Sequence, residues 1–174
     1  MYLNLILKQT IDGKIAKSLD DDLSWGSKED FQFYKQKTTQ IKNLIVGSST
    51  YRAMPKIAFK NRKVWVLTSK PDKMAQEYKN PENIFFCNLS AKKLYKELEL
   101  KGVEEACVIG GSSLYTSFLK EGLVDRMYIT LSPYVFGKGI SSFRETDINT
   151  QFKLVSHKIL SIQGDILCEY EKQS

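Results

Sequence analysis

Three short segments rich in glycine and hydroxyl residues have the composition of phosphate-binding loops. They span residues 47–50, 68–71 and 110–113, and each follows an apolar run typical of a strand. Backbone N–H groups at a helix start and Ser or Thr hydroxyls are the donors that bind phosphate. One such segment is more often a simple helix cap, but three after successive strands favour a nucleotide ligand.

The third of these segments contains a pair of glycines, Gly110 and Gly111, directly before a helical stretch. Its spacing matches neither the GxGxxG dinucleotide fingerprint nor a P-loop, so neither motif is present. A tight turn with positive φ is one interpretation, because glycine adopts that conformation at little cost. The other is a strained or cis Gly-Gly bond at a place where a ligand contacts the backbone. The sequence leaves both open.

A carboxylate near the start of a predicted helix is the second candidate for chemistry. Ser27 and Asp30 form an S-x-x-D pattern, so helix capping alone could explain Asp30. However, Phe33 and Tyr34 follow three and four residues later, which places Asp30 beside an aromatic helix face. Burial there would raise the pKa of Asp30 and make it a hydrogen-bond anchor or a proton source.

Other catalytic groups are scarce, which points to chemistry supplied by a cofactor. His157 is the only histidine, and Cys87, Cys107 and Cys168 are far apart without a CxxC pair. The sequence therefore does not favour a catalytic nucleophile paired with a histidine base, and we expect no metal site. Hydride transfer from a nicotinamide fits, because it asks the protein mainly for orientation and one polar anchor.

The elements that position these residues alternate between strands and helices and then become consecutive strands. Periodicity predicts strands over 2–8, 43–46, 63–68, 84–87, 106–109, 126–133, 152–159 and 166–171, and helices over 28–38, 90–101 and 112–121. This order predicts one α/β domain over residues 1–174, with a mostly parallel sheet and a C-terminal hairpin that turns near Gly164 and Asp165. The carboxyl ends of parallel strands are where such sheets bind ligands.

Composition limits the partners and the compartment. The net charge is +6 over 174 residues, but the basic residues are spread along the chain among 20 acids. Without a basic stripe or a known module we expect no nucleic-acid partner, and a phosphate-bearing small molecule fits the charge as well. The first apolar run ends at Lys8, so we expect no membrane span. Scattered cysteines in apolar contexts indicate reduced thiols in a cytoplasmic protein.

Seven segments in a fixed order resemble the dihydrofolate reductases and the related reductase domains of bacterial riboflavin synthesis. They are IDGKIA, Trp25 with Asp30 five positions later, NLIVGSSTYRAMP, NRKVWVLTSKP, VIGGSSLY, LVDRMYIT and FKLVSHKI. The resemblance implies a dihydrofolate reductase-like α/β fold. Such a fold has a central eight-stranded, mostly parallel sheet with flanking helices and an antiparallel C-terminal strand.

The resemblance also implies a set of substrate-binding residues. Asp30 would hydrogen-bond the 2-amino group and N3 of a pterin, with Thr130 behind the carboxylate. Tyr34 would stack on the ligand, and Ile109 would complete the pocket. Arg62 would grip the α-carboxylate of a folate tail, for which a planar guanidinium is well suited.

The implied cofactor is NADPH, with NADH as the alternative. The residues that would contact it are Ile15, Ala16, Gly47, Ser48, Ser49, Thr50, Leu67, Thr68, Ser69, Lys70, Gly110, Gly111, Ser112, Ser113, Leu114 and Tyr115. Ser48 and Ser113 stand where many relatives have basic residues for the 2′-phosphate, so Ser69 and Lys70 would have to hold that phosphate here. The loop before Trp25 also departs from the family, since it is acidic and lacks methionine.

The implied activity is NADPH-dependent reduction of 7,8-dihydrofolate to 5,6,7,8-tetrahydrofolate, with Asp30 as the catalytic residue. The alternative is a riboflavin-pathway reductase acting on a ribosylaminopyrimidine phosphate, because the segment after the glycine pair looks closer to those enzymes. A third hypothesis is a non-catalytic nucleotide-binding or phosphate-binding module. The small-molecule partner would be a pterin or folate, and the protein a monomer or a homodimer.

Overall fold

The apolar runs of the sequence form an eight-stranded sheet in the computed structural model, which describes residues 1–79 and 81–173. The strand order is β5-β4-β3-β6-β1-β7-β10-β9. Neighbours from β5 to β7 are parallel, and β10 is antiparallel to both β7 and β9. The bounds are β1 (Tyr2–Thr10), β3 (Asn43–Gly47), β4 (Lys63–Leu67), β5 (Ile84–Cys87), β6 (Glu105–Val108), β7 (Arg126–Ser132), β9 (Phe152–Ile159) and β10 (Ile166–Lys172). The fold class predicted from the sequence is confirmed.

Helices cover both faces of this sheet, which explains why most residues of its central strands are apolar. One face packs against α1 (Lys28–Ile41), α2 (Ser48–Ala53) and α3 (Pro71–Glu77), and the other against α4 (Ala91–Leu100) and α5 (Ser112–Lys120). In α4 the buried residues Ala91, Leu94 and Leu98 follow helical spacing, so that one stripe faces the core. The two cores lie on opposite sides of β1, β3, β4 and β6.

The strands and helices predicted from periodicity all form, with ends shifted by at most three residues. The sequence reading missed α2 and α3, which are short, although Pro71 at the first position of α3 is a recognised start signal. It also missed the 3-10 helix Lys56–Phe59 and the small antiparallel pair β2 (Lys14–Ala16) and β8 (Ile140–Ser141). These elements are too short for periodicity to detect.

The C-terminal hairpin turns where the sequence predicted it. Gly164 has a φ of +99°, and its N–H bonds the carbonyl of Ser161 at 3.1 Å. The N–H of Leu160 also bonds the carbonyl of Asp165 at 2.7 Å, which closes the turn. Within the described residues, no helix has the length and apolar character needed to cross a membrane.

Candidate active site

A cavity of about 840 Å³ opens at the carboxyl ends of the parallel strands. Its walls come from the end of β1, the segments after β3 and β6, the start of α1 and the loop between β2 and α1. Strand-to-helix connections meet here because all strands from β3 to β7 point the same way. The sheet therefore brings two of the three predicted phosphate-binding segments to one cavity.

The glycine pair joins two segments of the cavity wall. The peptide bond between Gly110 and Gly111 is cis, and Gly110 has a φ of +133°. Its carbonyl accepts the N–H of Gly47 at 2.7 Å, so the segments after β3 and β6 are joined. A Cβ on Gly110 would lie 3.1 Å from Thr50 Cγ2 and 3.4 Å from Tyr115 Oη. Glycine is required here by both conformation and space.

The cavity beside this pair fits the phosphates of a nucleotide cofactor. α5 starts directly after Gly111, and no side chain caps its first N–H groups. Ser112 and Ser113 in its first turn add hydroxyl donors to the same wall. Uncapped N–H groups at the start of a helix are the donors that an anionic phosphate prefers. α2 likewise starts after Gly47 without a capping side chain.

Asp30 enters the cavity from the first turn of α1. The N–H of Asp30 bonds the Ser27 hydroxyl at 3.1 Å, so Ser27 is the N-cap that the sequence predicted. The Asp30 side chain is left to line the cavity, where it accepts a hydrogen bond from Thr130. Burial raises the pKa of Asp30, and the Thr130 bond and the charge of Lys8 offset part of this rise. Burial therefore destabilises the charged form of this carboxyl group, and Thr130 and Lys8 offset part of that effect.

That raised pKa predicts that Asp30→Asn stabilises the protein at neutral pH. The folded state binds the Asp30 proton more tightly than the unfolded state, so stability falls as pH rises from the ordinary value of 3.8 through the raised native pKa. The asparagine variant lacks this loss. Its advantage in urea unfolding should therefore be small at about pH 3 and full at about pH 8.

The matched control is Asp22→Asn, whose effect on stability should have the opposite sign. Bonds from Ser24 hold the pKa of Asp22 below its ordinary range, so its contribution appears above the unfolded pKa and is lost on acidification. An Asp30→Asn variant that is less stable than the wild type at about pH 8 would contradict the assignment of a desolvated carboxylate.

A lysine that the sequence reading did not single out lies beside Asp30. Lys8 is in register with Thr130 across β1 and β7, so both face α1. Its Nζ lies 3.8 Å from the ring centroid of Trp25, and its side chain lines the cavity. Burial lowers the pKa of Lys8, opposed in part by Asp30, Asp165 and Asp21. Lys8 lies on the same face of β1 as Asn4 and Ile6, two residues apart in each case, and this spacing was the sequence signal that could have identified it.

Asp165 of the C-terminal hairpin lies behind this pair. The hydroxyl of Ser161 donates to Asp165 Oδ2 at 2.6 Å, and the hydroxyl of Ser132 donates to Oδ1. Burial pushes the pKa of Asp165 upward, but the hydroxyls of Ser132, Ser161 and Ser27 hold it below its ordinary value. Asp165 therefore stays charged and adds a fixed negative charge behind Lys8 and Asp30.

Tyr34 also lines the cavity, one turn after Asp30 on α1. Its hydroxyl is buried and has no hydrogen-bond partner among the described residues. Burial raises the pKa of Tyr34 far above its ordinary value, so the hydroxyl remains a neutral donor. An unpaired donor in a cavity wall favours a polar ligand.

Arg62, predicted to grip a substrate carboxylate, does not line the cavity. Its guanidinium is buried and donates to Thr38 Oγ1 at 3.2 Å, Thr39 Oγ1 at 2.8 Å and the carbonyls of Lys35 and Lys60. These bonds use four of its five N–H groups and tie the end of α1 to the start of β4. The structure shows a positioning role, and substrate binding by Arg62 stays a prediction.

Arg62→Lys should therefore lower the free energy of unfolding by about 2 kcal/mol. A lysine ammonium cannot reach four acceptors spread around a planar guanidinium, so buried acceptors lose their partners. Urea unfolding would measure the change. Arg52→Lys is the control, because Arg52 is exposed and pairs with Glu77 at 3.8 Å; its change should stay below about 0.5 kcal/mol. Equal effects of the two variants would contradict the structural role.

Most of the other predicted site residues meet in the cavity. Those that line its wall are Ile15, Ala16, Gly47, Ser48, Ser49, Thr50, Leu67, Ile109, Gly110, Gly111, Ser112, Ser113, Leu114 and Tyr115. Thr68, Ser69 and Lys70 do not line it, and Thr130 reaches it through Asp30. Lys28 and Arg144 line the cavity although the sequence reading did not select them.

No cluster of metal-ligating side chains is found in residues 1–79 and 81–173. Cys87, Cys107 and Cys168 are all free thiols. Burial raises the pKa of the Cys87 thiol to about 11, and it raises that of Cys107 further. Neither thiol has the lowered pKa of a nucleophile.

Comparison with known proteins identifies the family of this chain. The family model of dihydrofolate reductase matches residues 2–164. Dihydrofolate reductase from Bacillus subtilis (strain 168) is 33% identical over 138 residues, which are 79% of this chain and 73% of the relative. Riboflavin biosynthesis protein RibD from Aquifex aeolicus (strain VF5) is 25% identical over 111 residues, which are 62% of this chain and 31% of that protein.

Solved structures agree on the fold. A protein assigned to riboflavin biosynthesis from Shewanella sp. PV-4 superposes with a TM-score of 0.80 at 21% identity, covering 100% of both chains. Together these comparisons define an oxidoreductase with the dihydrofolate reductase fold. The chain belongs to the dihydrofolate reductase family.

Proposed function

We propose that this protein reduces 7,8-dihydrofolate to 5,6,7,8-tetrahydrofolate with NADPH. The observation that carries the proposal is the Asp30 carboxylate, which lines the cavity and is held by Thr130. The curated relative at 33% identity is a dihydrofolate reductase, which supports this choice of substrate.

Residues at one end of the cavity would bind the cofactor, and residues at the other end would bind the substrate ring. At the glycine end, the N–H groups at the start of α5 and the hydroxyls of Ser112 and Ser113 would bind the cofactor phosphates. At the α1 end, Asp30 would accept hydrogen bonds from the 2-amino group and N3–H of the pterin, and Tyr34 would pack on the ring. A bound nicotinamide supplies the hydride that the protein itself lacks.

Asp30 acts by orientation and charge. A carboxylate has two acceptor oxygens, which match two adjacent N–H groups on a heterocycle edge. The Thr130 hydroxyl bonds the carboxylate and lowers its pKa, which favours the charged form. Negative charge at this edge polarises the ring and favours proton uptake at N5, which takes its proton from solvent. Holding the ring in one position makes transfer to C6 effectively intramolecular.

The experiment that tests the proposal follows the near-ultraviolet absorbance of the reduced nicotinamide. Dihydrofolate with NADPH should give a steady loss of this absorbance. NADPH is the proposed cofactor, so NADH should give less turnover. Because Ser48 and Ser113 are not basic, Ser69 and Lys70 would have to hold the 2′-phosphate. No absorbance loss with any pterin or pyrimidine substrate would overturn the proposal in favour of a non-catalytic binding module.

A second candidate function is reduction of a ribosylaminopyrimidine phosphate. The observation that favours it is the placement of cations: Lys28 and Arg144 line the cavity, whereas Arg62 does not. A substrate phosphate needs cations in the wall, and a folate tail would need the one remaining N–H of Arg62. Assaying both substrates in parallel discriminates the two functions, because only one should support cofactor oxidation at low substrate concentration.

A further inference from the structure

We propose that Lys8 determines specificity by donating a hydrogen bond to an exocyclic oxygen of the substrate ring, next to the edge that Asp30 binds. This inference rests on the proposed function and names a group on the substrate that the site selects. Lys8 would discriminate oxo-heterocycles from amino-heterocycles of the same shape.

The geometry places the amine and the carboxylate on one side of the sheet with a gap between them. Lys8 and Thr130 are register partners on β1 and β7, and Thr130 donates to Asp30. Both Lys8 and Asp30 line the cavity, yet in the described part of the chain no ion pair within 4.0 Å joins them. A donor and an acceptor that face one cavity without contacting each other can bind two neighbouring atoms of one ligand.

The surroundings hold the Lys8 amine at this position. Its Nζ packs on the Trp25 ring at 3.8 Å, a cation–π contact. Gly26 leaves the space for it, because a Cβ on that residue would lie 2.1 Å from Lys8 Nζ. Burial lowers the pKa of Lys8, and the charges of Asp30, Asp165 and Asp21 oppose this and favour its charged form. The amine is thus positioned, and its N–H groups remain for a ligand.

The chemistry of an ammonium decides which substrate group it selects. An ammonium donates three hydrogen bonds and accepts none. A ring carbonyl beside the N–H held by Asp30 accepts from it, whereas an amino group at the same position would place donor against donor. Burying two unpaired donors against each other is costly. A reduced pterin and an aminopyrimidinedione both carry the required oxygen.

Calorimetric titration with a matched pair of ligands tests the inference. The pair is 2-amino-4-oxopteridine and 2,4-diaminopteridine, which differ in one exocyclic group. Lys8→Met should reduce the ratio of the oxo affinity to the diamino affinity by at least about tenfold relative to the wild type. Gly26→Ala, which displaces the amine without removing it, should reduce the ratio in the same direction. Lys37→Met is the control, because Lys37 packs on Tyr128 at 4.6 Å outside the cavity wall.

The outcomes separate this inference from the proposed function. If both ligands bind, Asp30→Asn weakens both, and Lys8→Met leaves their ratio unchanged, the role of Lys8 is overturned and that of Asp30 stands. A ratio unchanged in Gly26→Ala would overturn it as well, and this variant serves where Lys8→Met fails to fold. If the wild type binds neither pteridine, the proposed function fails and the inference fails with it. A purely structural lysine would change both affinities equally.

Discussion

Asp30→Asn is expected to lower the turnover of dihydrofolate reduction by about 100-fold or more and to leave cofactor affinity within about twofold. Asparagine keeps the volume and can still accept the Thr130 hydrogen bond. However, it has one acceptor oxygen instead of two, and its N–H₂ group would face the donors of the substrate edge. The variant also lacks the negative charge that favours proton uptake on the ring. Steady-state kinetics and a separate cofactor titration measure the two effects.

Glu29→Gln is the matched control for this prediction. Glu29 precedes Asp30 in the first turn of α1 but is exposed and does not line the cavity. The same change from carboxylate to amide should therefore leave turnover close to that of the wild type. Turnover of Asp30→Asn near the parent rate would show that the carboxylate does not act in catalysis. Loss of activity in both variants would point to a general effect of charge on α1.

Gly110→Ala is expected to weaken cofactor binding by about 100-fold and to lower the free energy of unfolding by about 2 kcal/mol. The alanine would have to adopt a φ of +133°, with its Cβ 3.1 Å from Thr50 Cγ2 and 3.3 Å from Thr50 Oγ1. Relieving this contact moves the start of α5 away from the segment after β3. The N–H groups proposed to bind the cofactor phosphates would then no longer face one ligand. Titration of NADPH against cofactor-dependent protein fluorescence measures the loss.

A second glycine separates backbone strain from the loss of a binding surface. Gly102 also has a positive φ, +75°, but a Cβ there would have no neighbour within 4 Å, and it lies outside the cavity wall. Gly102→Ala should therefore lower stability by about 1 kcal/mol and leave cofactor affinity unchanged. If Gly110→Ala binds NADPH as tightly as the wild type, the glycine pair is not part of the cofactor site.

The sheet could be predicted from the sequence because its information is local. Strands such as β3 and β4 are continuous apolar runs, and parallel strands covered on both faces require such runs. Ser27 and Asp30 also carry a local signal, the N-cap pattern, which the structure shows at 3.1 Å. The glycine pair predicted an unusual backbone conformation. The structure shows a cis peptide bond between Gly110 and Gly111 and a positive φ at Gly110.

The positions of Lys8 and Asp165 near Asp30 could not be predicted, since they depend on contacts between distant parts of the chain. Lys8 contacts Trp25 because the end of β1 lies against the loop that precedes α1. Asp165 reaches Ser132 across the β7–β10 pair, 33 residues apart. The four hydrogen bonds that hold Arg62 against α1 and its own segment are contacts of the same kind. Its role as a substrate clamp was implied by the family resemblance and stays a prediction. Register and helix packing decide such contacts, and single-sequence periodicity does not report them.

The most direct test of the central claim is the fate of the transferred hydrogen. The enzyme would be incubated with dihydrofolate and NADPH that carries deuterium at the transferable C4 position. Mass spectrometry would then measure the deuterium content of the folate product. A reductase that holds the pterin on Asp30 beside the glycine pair should place one deuterium in each tetrahydrofolate formed, and Asp30→Asn should form almost none. Cofactor oxidation without deuterium in the folate, or no reduction of dihydrofolate at all, would contradict the claim.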